Sequence, residues 1–147
     1  MEFDHAFSVG APIDDVWAVL GDGERLVPCI PNARLVGSSG NSYDIEVEAD
    51  IGFVTLKTKV NVTLGERDDG AHRQVLEIHA RDGDGDQLAD ATATIVLTEA
   101  AGRSVAAVHT SVEVGGIARL VSEDKIDEVA NRTFTKFGAN LEALLTQ

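Results

Sequence analysis

Hydrophobic and polar residues alternate at the start of the chain, in EFDHAFSV. The odd-numbered positions from Phe3 to Val9 share one parity and mostly polar residues share the other, which is the period of a half-buried strand. Pro12 then stands where the first turn of a helix tolerates a missing N–H, and apolar residues from Ile13 to Leu20 recur at helical spacing. The pattern predicts one strand followed by a short helix.

A second short helical segment, DGERLVPC, begins after Asp22, whose side chain can cap it. The segment must end near Pro28 and Pro31, because proline disfavours helix in the residue before it. The stretch LVPCIPNARL at 26–35 is therefore predicted to be a helix exit that leads into a strand, stiffened by two fixed φ angles.

From Ala33 onward the alternation predicts six further strands joined by short turns, which favour an antiparallel meander. The turns are SSGN at 38–41, a parity break at 51–53, DDGA at 68–71, DGDGD at 82–86 and EAAG at 99–102.

One long helix is predicted after Gly115 and Gly116, with an apolar stripe that runs from Ile126 to Leu144. Laying this helix across the concave face of a curved sheet buries both apolar surfaces. The predicted fold is therefore α+β, a helix-grip fold: a seven-stranded curved antiparallel sheet around a long C-terminal helix, with two short helices after the first strand. Residues 1–147 are expected to form a single domain.

Composition and charge limit the function classes. The chain has 25 acidic and 12 basic residues and a net charge of −13, which opposes binding to nucleic acid. No apolar run approaches the roughly 20 residues of a membrane span, and the N-terminus lacks the pattern of an export signal. Cys29 is the single cysteine, which fits a reducing cytosol.

Three segments resemble the family of the carbon monoxide dehydrogenase G subunit, within the START and polyketide-cyclase-like superfamily. They are VWAVLGDGERLVPCIPNARL, GDQLADATATIVLT and GGIARLVSEDKIDEVANRTFTKFGANLEALL. Asn32 stands where glycine is usual in this family, although asparagine also tolerates left-handed backbone.

The resemblance implies a non-catalytic accessory protein of a molybdenum-containing CO dehydrogenase, cytoplasmic and peripherally associated with the inner face of the cytoplasmic membrane. It also implies that an apolar ligand lies between sheet and helix. Members of this family often carry a further C-terminal tail, so the expected domain lacks such a tail at Gln147.

Small side chains on adjacent strands, among them Ala80, Ala91 and Ala106, predict space inside the fold. Aromatic residues could instead fill that space, because protein interiors are close-packed. The candidate ligand-binding residues are His5, Ile30, Val47, Ala49, Ile51, Leu56, Thr58, Ile78, Ala80, Ala89, Ala91, Ala93, Val108, Thr110, Val129, Thr133, Phe134 and Phe137.

Strand directions place the segments at 28–32, 51–53, 82–86 and 114–117 at one end of the sheet, which is the predicted pocket mouth. On the long helix, the face of Ile117 and Leu120 lies nearly opposite the stripe that starts at Ile126. Either the first turns are distorted or these residues stay exposed as a contact for a partner or a membrane. Candidates for the mouth or for membrane contact are Cys29, Pro31, Phe53, Ile117, Leu120 and Val121.

Catalytic and metal sites are weakly indicated. A Cys29 nucleophile needs a histidine base, and only His5 of the four histidines faces inward from a strand. RDGDGDQLAD begins like a calcium loop, but Gln87 and Ala93 replace its glycine and glutamate. We expect no catalytic residue, no metal and no tightly bound cofactor.

The preferred hypothesis is a binder of a respiratory quinone or similar prenyl lipid that links the dehydrogenase to the membrane. Its partners would be the dehydrogenase, a hydrophobic small molecule and the cytoplasmic membrane. A second hypothesis is an adaptor or recruitment factor for the dehydrogenase with a filled core. A small cyclase or hydrolase, with His5 polarising a ligand carbonyl, is a third.

Overall fold

The structure is a computed structural model, and it describes residues 1–50 and 55–146. The seven strands in this described part form one antiparallel sheet in the order β1-β7-β6-β5-β4-β3-β2. Their bounds are β1 Glu2–Val9, β2 Ala33–Ser39, β3 Ser42–Asp50, β4 Thr55–Asp68, β5 Arg73–Arg81, β6 Gln87–Ala100 and β7 Arg103–Val114. The predicted strand count and the meander are confirmed for β2 to β7, and β1 closes the sheet against β7.

Three α-helices cover the concave face of this sheet. They are α1 at Ile13–Leu20, α2 at Gly23–Leu26 and α3 at Glu123–Leu145. The predicted helix-grip arrangement is confirmed. In the described part of the chain, no helix is both long and apolar enough to cross a membrane.

The helical segment that includes α2 ends near Pro28 and Pro31, as predicted. A 3₁₀ helix at Val27–Cys29 continues α2, and the chain then turns into β2. Asn32 adopts a φ of 61°, the left-handed conformation in which asparagine can replace glycine. Asp22 does occupy the N-cap position of α2, but its side chain makes no capping hydrogen bond, so that part of the prediction was wrong.

The long C-terminal helix begins later than predicted. Gly116 takes a φ of 56°, and a separate 3₁₀ helix spans Gly116–Leu120. The side chain of Ser122 then caps α3 by accepting a hydrogen bond from the Lys125 N–H. The first turns are therefore distorted, as one of the two predicted alternatives requires, while Leu120 stays exposed, as the other requires.

The hydrophobic core occupies only part of the concave face. It lies where α1, α2 and the C-terminal half of α3 meet the sheet, and it includes Val16, Leu20 and Leu141. A row of aromatic rings extends it along β1 and α3: Phe7 lies edge-on to Phe137 and stacks with Phe134. The N-terminal half of α3 covers the remaining part of the sheet.

Candidate ligand-binding cavity

An apolar cavity of about 350 Å³ lies beneath the N-terminal half of α3. It extends across the sheet from β3 to β7, and the segment after Gly115 closes one side. The lining residues are Val47, Thr58, Val60, Ile78, Ala80, Leu88, Ala89, Val112, Val114, Ala118, Val121, Ile126, Val129 and Thr133.

The two hydroxyl groups in this lining already donate to the backbone. Thr58 Oγ1 donates to the Val47 carbonyl, and Thr133 Oγ1 donates to the Val129 carbonyl, each over 2.8 Å. Each hydroxyl has a single donor hydrogen. Among the described lining residues there is therefore no uncommitted side-chain donor, and the chemistry of the lining suits hydrocarbon.

A second space of about 440 Å³ adjoins the cavity at the surface. This head groove, as we call it, runs between the loop after the first 3₁₀ helix and the side of α3. Val47, Val129 and Thr133 line both spaces, so the two spaces are adjacent. The other lining residues of the head groove are Ile30, Pro31, Asn32, Glu48, Arg132 and Lys136.

Part of the set of residues predicted from the sequence lies at these two spaces. Seven of its members lie on the cavity wall: Val47, Thr58, Ile78, Ala80, Ala89, Val129 and Thr133. Ile30 and Pro31 line the head groove instead. Ile51 and Phe53, and the side chains of Ala49 and Leu56, lie outside the described residues.

Other candidates belong to the packed interior and not to the cavity wall. Ala93, Val108 and Phe137 are buried in the hydrophobic core. Ala91 is half-buried and lies off the lining, and Thr110 is buried beside β1. The strand residues among them share the predicted inward parity, but the core and the aromatic row already occupy that part of the concave face.

His5 and Phe134 lie in the aromatic row with their ring centroids 5.4 Å apart. Only 4% of the His5 side chain is exposed, and Nε2 lies 2.8 Å from Asp127 Oδ1 on α3. Among the described residues, Nδ1 has no hydrogen-bond partner. His5 points inward as predicted, but Asp127 and the rings surround it outside the cavity lining.

The residues predicted for the mouth do not lie together. Val121 lines the cavity, Ile117 is half-buried, and Leu120 is 73% exposed. Cys29 is buried in the core instead of lining an opening, because the first 3₁₀ helix turns its side chain inward. Its Sγ donates to the Arg25 carbonyl, and burial raises the pKa of the thiol, which opposes a role as nucleophile.

Several lining residues were absent from the candidate set. Val60, Val112 and Val114 share the inward parity of their strands, so alternation alone could have found them. Leu88 lies opposite a register shift between Ala80 and Arg81, where simple alternation fails. The other two are Ala118 and Ile126.

The acidic hairpin between β5 and β6 is hydrogen-bonded within itself. Asp82 Oδ1 accepts hydrogen bonds from the N–H groups of Asp84 and Asp86. Within residues 1–50 and 55–146, no group of three or more potential metal ligands comes together.

Solved structures share this fold. A conserved protein from Geobacillus kaustophilus matches with a TM-score of 0.85 and 18% identity, covering 99% of this chain and 95% of that chain. A START superfamily protein from Mycobacterium smegmatis matches with a TM-score of 0.66 and 13% identity, covering 99% and 97%. At these identities the similarity establishes the fold alone.

A search of curated proteins found no significant match. The family model for the G subunit of carbon monoxide dehydrogenase (CoxG) matches residues 6–146. Because that match covers nearly the whole chain, this protein belongs to the CoxG family, the family of the carbon monoxide dehydrogenase G subunit.

Proposed function

We propose that this protein binds a respiratory quinone or a similar prenyl lipid as a non-catalytic accessory of a molybdenum-containing CO dehydrogenase. The cavity is the observation that carries the proposal. Its roughly 350 Å³ lies within the usual range of ligand pockets, about 300–1,000 Å³, and its committed hydroxyls favour a hydrocarbon occupant.

Family membership supports the enzyme context of the proposal. A CO dehydrogenase of this type must pass electrons to the respiratory chain, whose carrier in the lipid phase is a quinone. A protein that holds the apolar part of such a carrier away from water could present it to the dehydrogenase. In this proposal the protein acts at the inner face of the cytoplasmic membrane.

Native mass spectrometry of protein purified without detergent tests the ligand. We expect a bound species whose organic extract contains a quinone or a related prenyl lipid. A second measurement incubates lipid-free protein with quinone-loaded vesicles, reisolates it and assays the quinone that it carries. Protein that contains no lipid and takes up no quinone would favour the adaptor hypothesis.

The proposed link to the CO dehydrogenase needs its own measurement. The purified dehydrogenase, CO and quinone-loaded vesicles are combined with and without this protein, and quinone reduction is followed optically. We expect reduction to accelerate with added protein. An equal rate in both mixtures would contradict the proposed link between the dehydrogenase and the membrane.

A further inference from the structure

The head groove offers the polar chemistry that the cavity lacks. Arg132 and Lys136 lie one turn apart on α3, at the i and i+4 spacing that places them on one face. Both side chains only donate hydrogen bonds. Asn32 lines the opposite side on a backbone turn, and Ile30 and Pro31 provide an apolar floor.

These two cations are available to a ligand. Within the described part of the chain, no carboxylate lies within 4.0 Å of either Arg132 or Lys136, whereas Arg81, Arg103 and Lys125 are all ion-paired. Glu48 also lines the head groove, so the groove carries both positive and negative charge. A neutral head that accepts hydrogen bonds avoids the repulsion that Glu48 would exert on a strongly anionic head.

Continuity between the two spaces gives the ligand its orientation. Because Val47, Val129 and Thr133 line both, a molecule that fills the cavity and extends past these side chains reaches the head groove. A hydrocarbon tail suits the cavity, and oxygen atoms that accept hydrogen bonds suit Arg132 and Lys136. The reverse orientation would bury polar oxygens in the cavity, where the described lining offers them no side-chain donor, and would therefore bind more weakly.

We propose that the head groove seats the polar head of the ligand, and that Arg132 and Lys136 select a head with two carbonyl acceptors, as in a quinone. This inference rests on the proposed function. It adds the position of the head, the residues that recognise it and the direction in which the tail enters.

Isothermal titration with ligands of similar tail length tests the proposal. The probes are decylbenzoquinone, decylbenzene, which lacks the acceptors, and dodecanoate, which carries a full negative charge. The proteins are the wild type, the double variant Arg132→Gln with Lys136→Gln, and Arg73→Gln. Arg73 is an exposed cation on β5 that lines neither space, which makes it the control for removing a positive charge elsewhere on the surface.

We expect the double variant to lose roughly tenfold or more in affinity for decylbenzoquinone, as the loss of one or two charge-assisted hydrogen bonds implies. Its affinity for decylbenzene should change less than about twofold, and Arg73→Gln should change neither. Circular dichroism would verify that α3 remains folded.

Two other results would overturn the assignment while leaving the proposed function intact. One is equal quinone affinity in wild type and double variant. The other is tighter binding of dodecanoate than of the quinone, lost in the double variant, which would assign an anionic head instead. If the wild type bound none of the three probes, the proposed function itself would fail.

Discussion

Asn140 on α3 donates a hydrogen bond from Nδ2 to the carbonyl oxygen of Cys29 over 2.9 Å. This bond joins the helix to the segment that leads into Ile30 and Pro31, the apolar floor of the head groove. Removing it leaves a carbonyl of the buried Cys29 without this partner. Asn140→Ala should therefore lower the free energy of unfolding by about 1–3 kcal/mol, measured by urea denaturation.

Asn131→Ala is the matched control, because Asn131 lies on the exposed side of the same helix. Its stability should stay within about 0.5 kcal/mol of the wild type. If the proposed function holds, Asn140→Ala should also release a bound quinone faster. Equal stability of the two variants would show that the bond to Cys29 contributes nothing.

Two alanines on the same face of β6 test where the space lies. Ala89 lines the cavity, whereas Ala93 is 1% exposed within the core. Ala93→Leu should overpack the core and cost about 1–3 kcal/mol in urea denaturation. Ala89→Leu should remain within about 1 kcal/mol of the wild type, because the added atoms enter empty space. Similar costs for both variants would mean that the cavity is not a real void.

Alternation predicted the sheet almost completely, for a physical reason. The side-chain period of a strand is two residues, so burial on one face fixes the parity of each strand. Phe3 and Phe7 on β1 and Ile95 and Leu97 on β6 are all buried, as that rule requires. Proline chemistry likewise predicted the turn out of α2.

The position of the cavity could not be predicted in the same way. Parity says which side chains face inward, but not which helix lies above them. Ala93 and Val108 lie in the core that α1 and the C-terminal half of α3 share with the sheet. Ala89 instead lines the cavity, together with Ala118 of the second 3₁₀ helix. The cation pair Arg132 and Lys136 gave no sequence signal, because the groove that it lines is completed by a loop distant in sequence.

Gly138 permits the close approach of α3 and β1. A Cβ atom built there would lie 2.7 Å from Phe7 Cδ2, and Phe7 is held by Phe134 and Phe137. In an open helix, alanine is favoured over glycine by about 1 kcal/mol. Here we expect Gly138→Ala to reduce stability instead, by about 1–3 kcal/mol in urea denaturation.

Combining Gly138→Ala with Phe7→Leu separates the clash from other effects. In a double-mutant cycle the smaller side chain should recover part of the loss at Gly138, because the two sites are in contact. Strictly additive changes, or a Gly138→Ala variant more stable than wild type, would contradict the proposed packing.

His109 links β7 to β1 in a pH-dependent way. Its ring nitrogens lie 2.8 Å from Asp4 Oδ1 and 2.9 Å from Glu2 Oε1. The hydrogen bond to Asp4, followed by that to Glu2, raises the pKa of His109 above its ordinary value. The protonated form is therefore favoured in the folded state.

The sign of the linkage follows from that raised pKa. While Asp4 and Glu2 stay ionised, the contribution of His109 to stability is complete below the unfolded-state pKa of about 6.5 and is lost as pH rises through the higher folded-state value. NMR titration of the His109 ring should locate that value. The free energy of unfolding should differ less between about pH 6 and pH 9 in His109→Gln than in the wild type. The effect should be small, because the site is exposed.

Leu120 is the most exposed large hydrophobic residue in the described part of the chain, at 73%, whereas its neighbour Val121 lines the cavity. A net charge of −13 gives no general attraction to an anionic bilayer, so contact there must depend on local burial of apolar surface, at about 25 cal/mol per Å². If Leu120 provides such a contact, Leu120→Asn should slow transfer of a fluorescent quinone analogue from vesicles, and Leu120→Asp, which adds charge repulsion, should slow it further.

Neither variant should change stability by more than about 0.5 kcal/mol, measured by urea denaturation. Unchanged transfer rates in both variants would exclude Leu120 from membrane contact, and a large loss of stability would show that it packs against the fold.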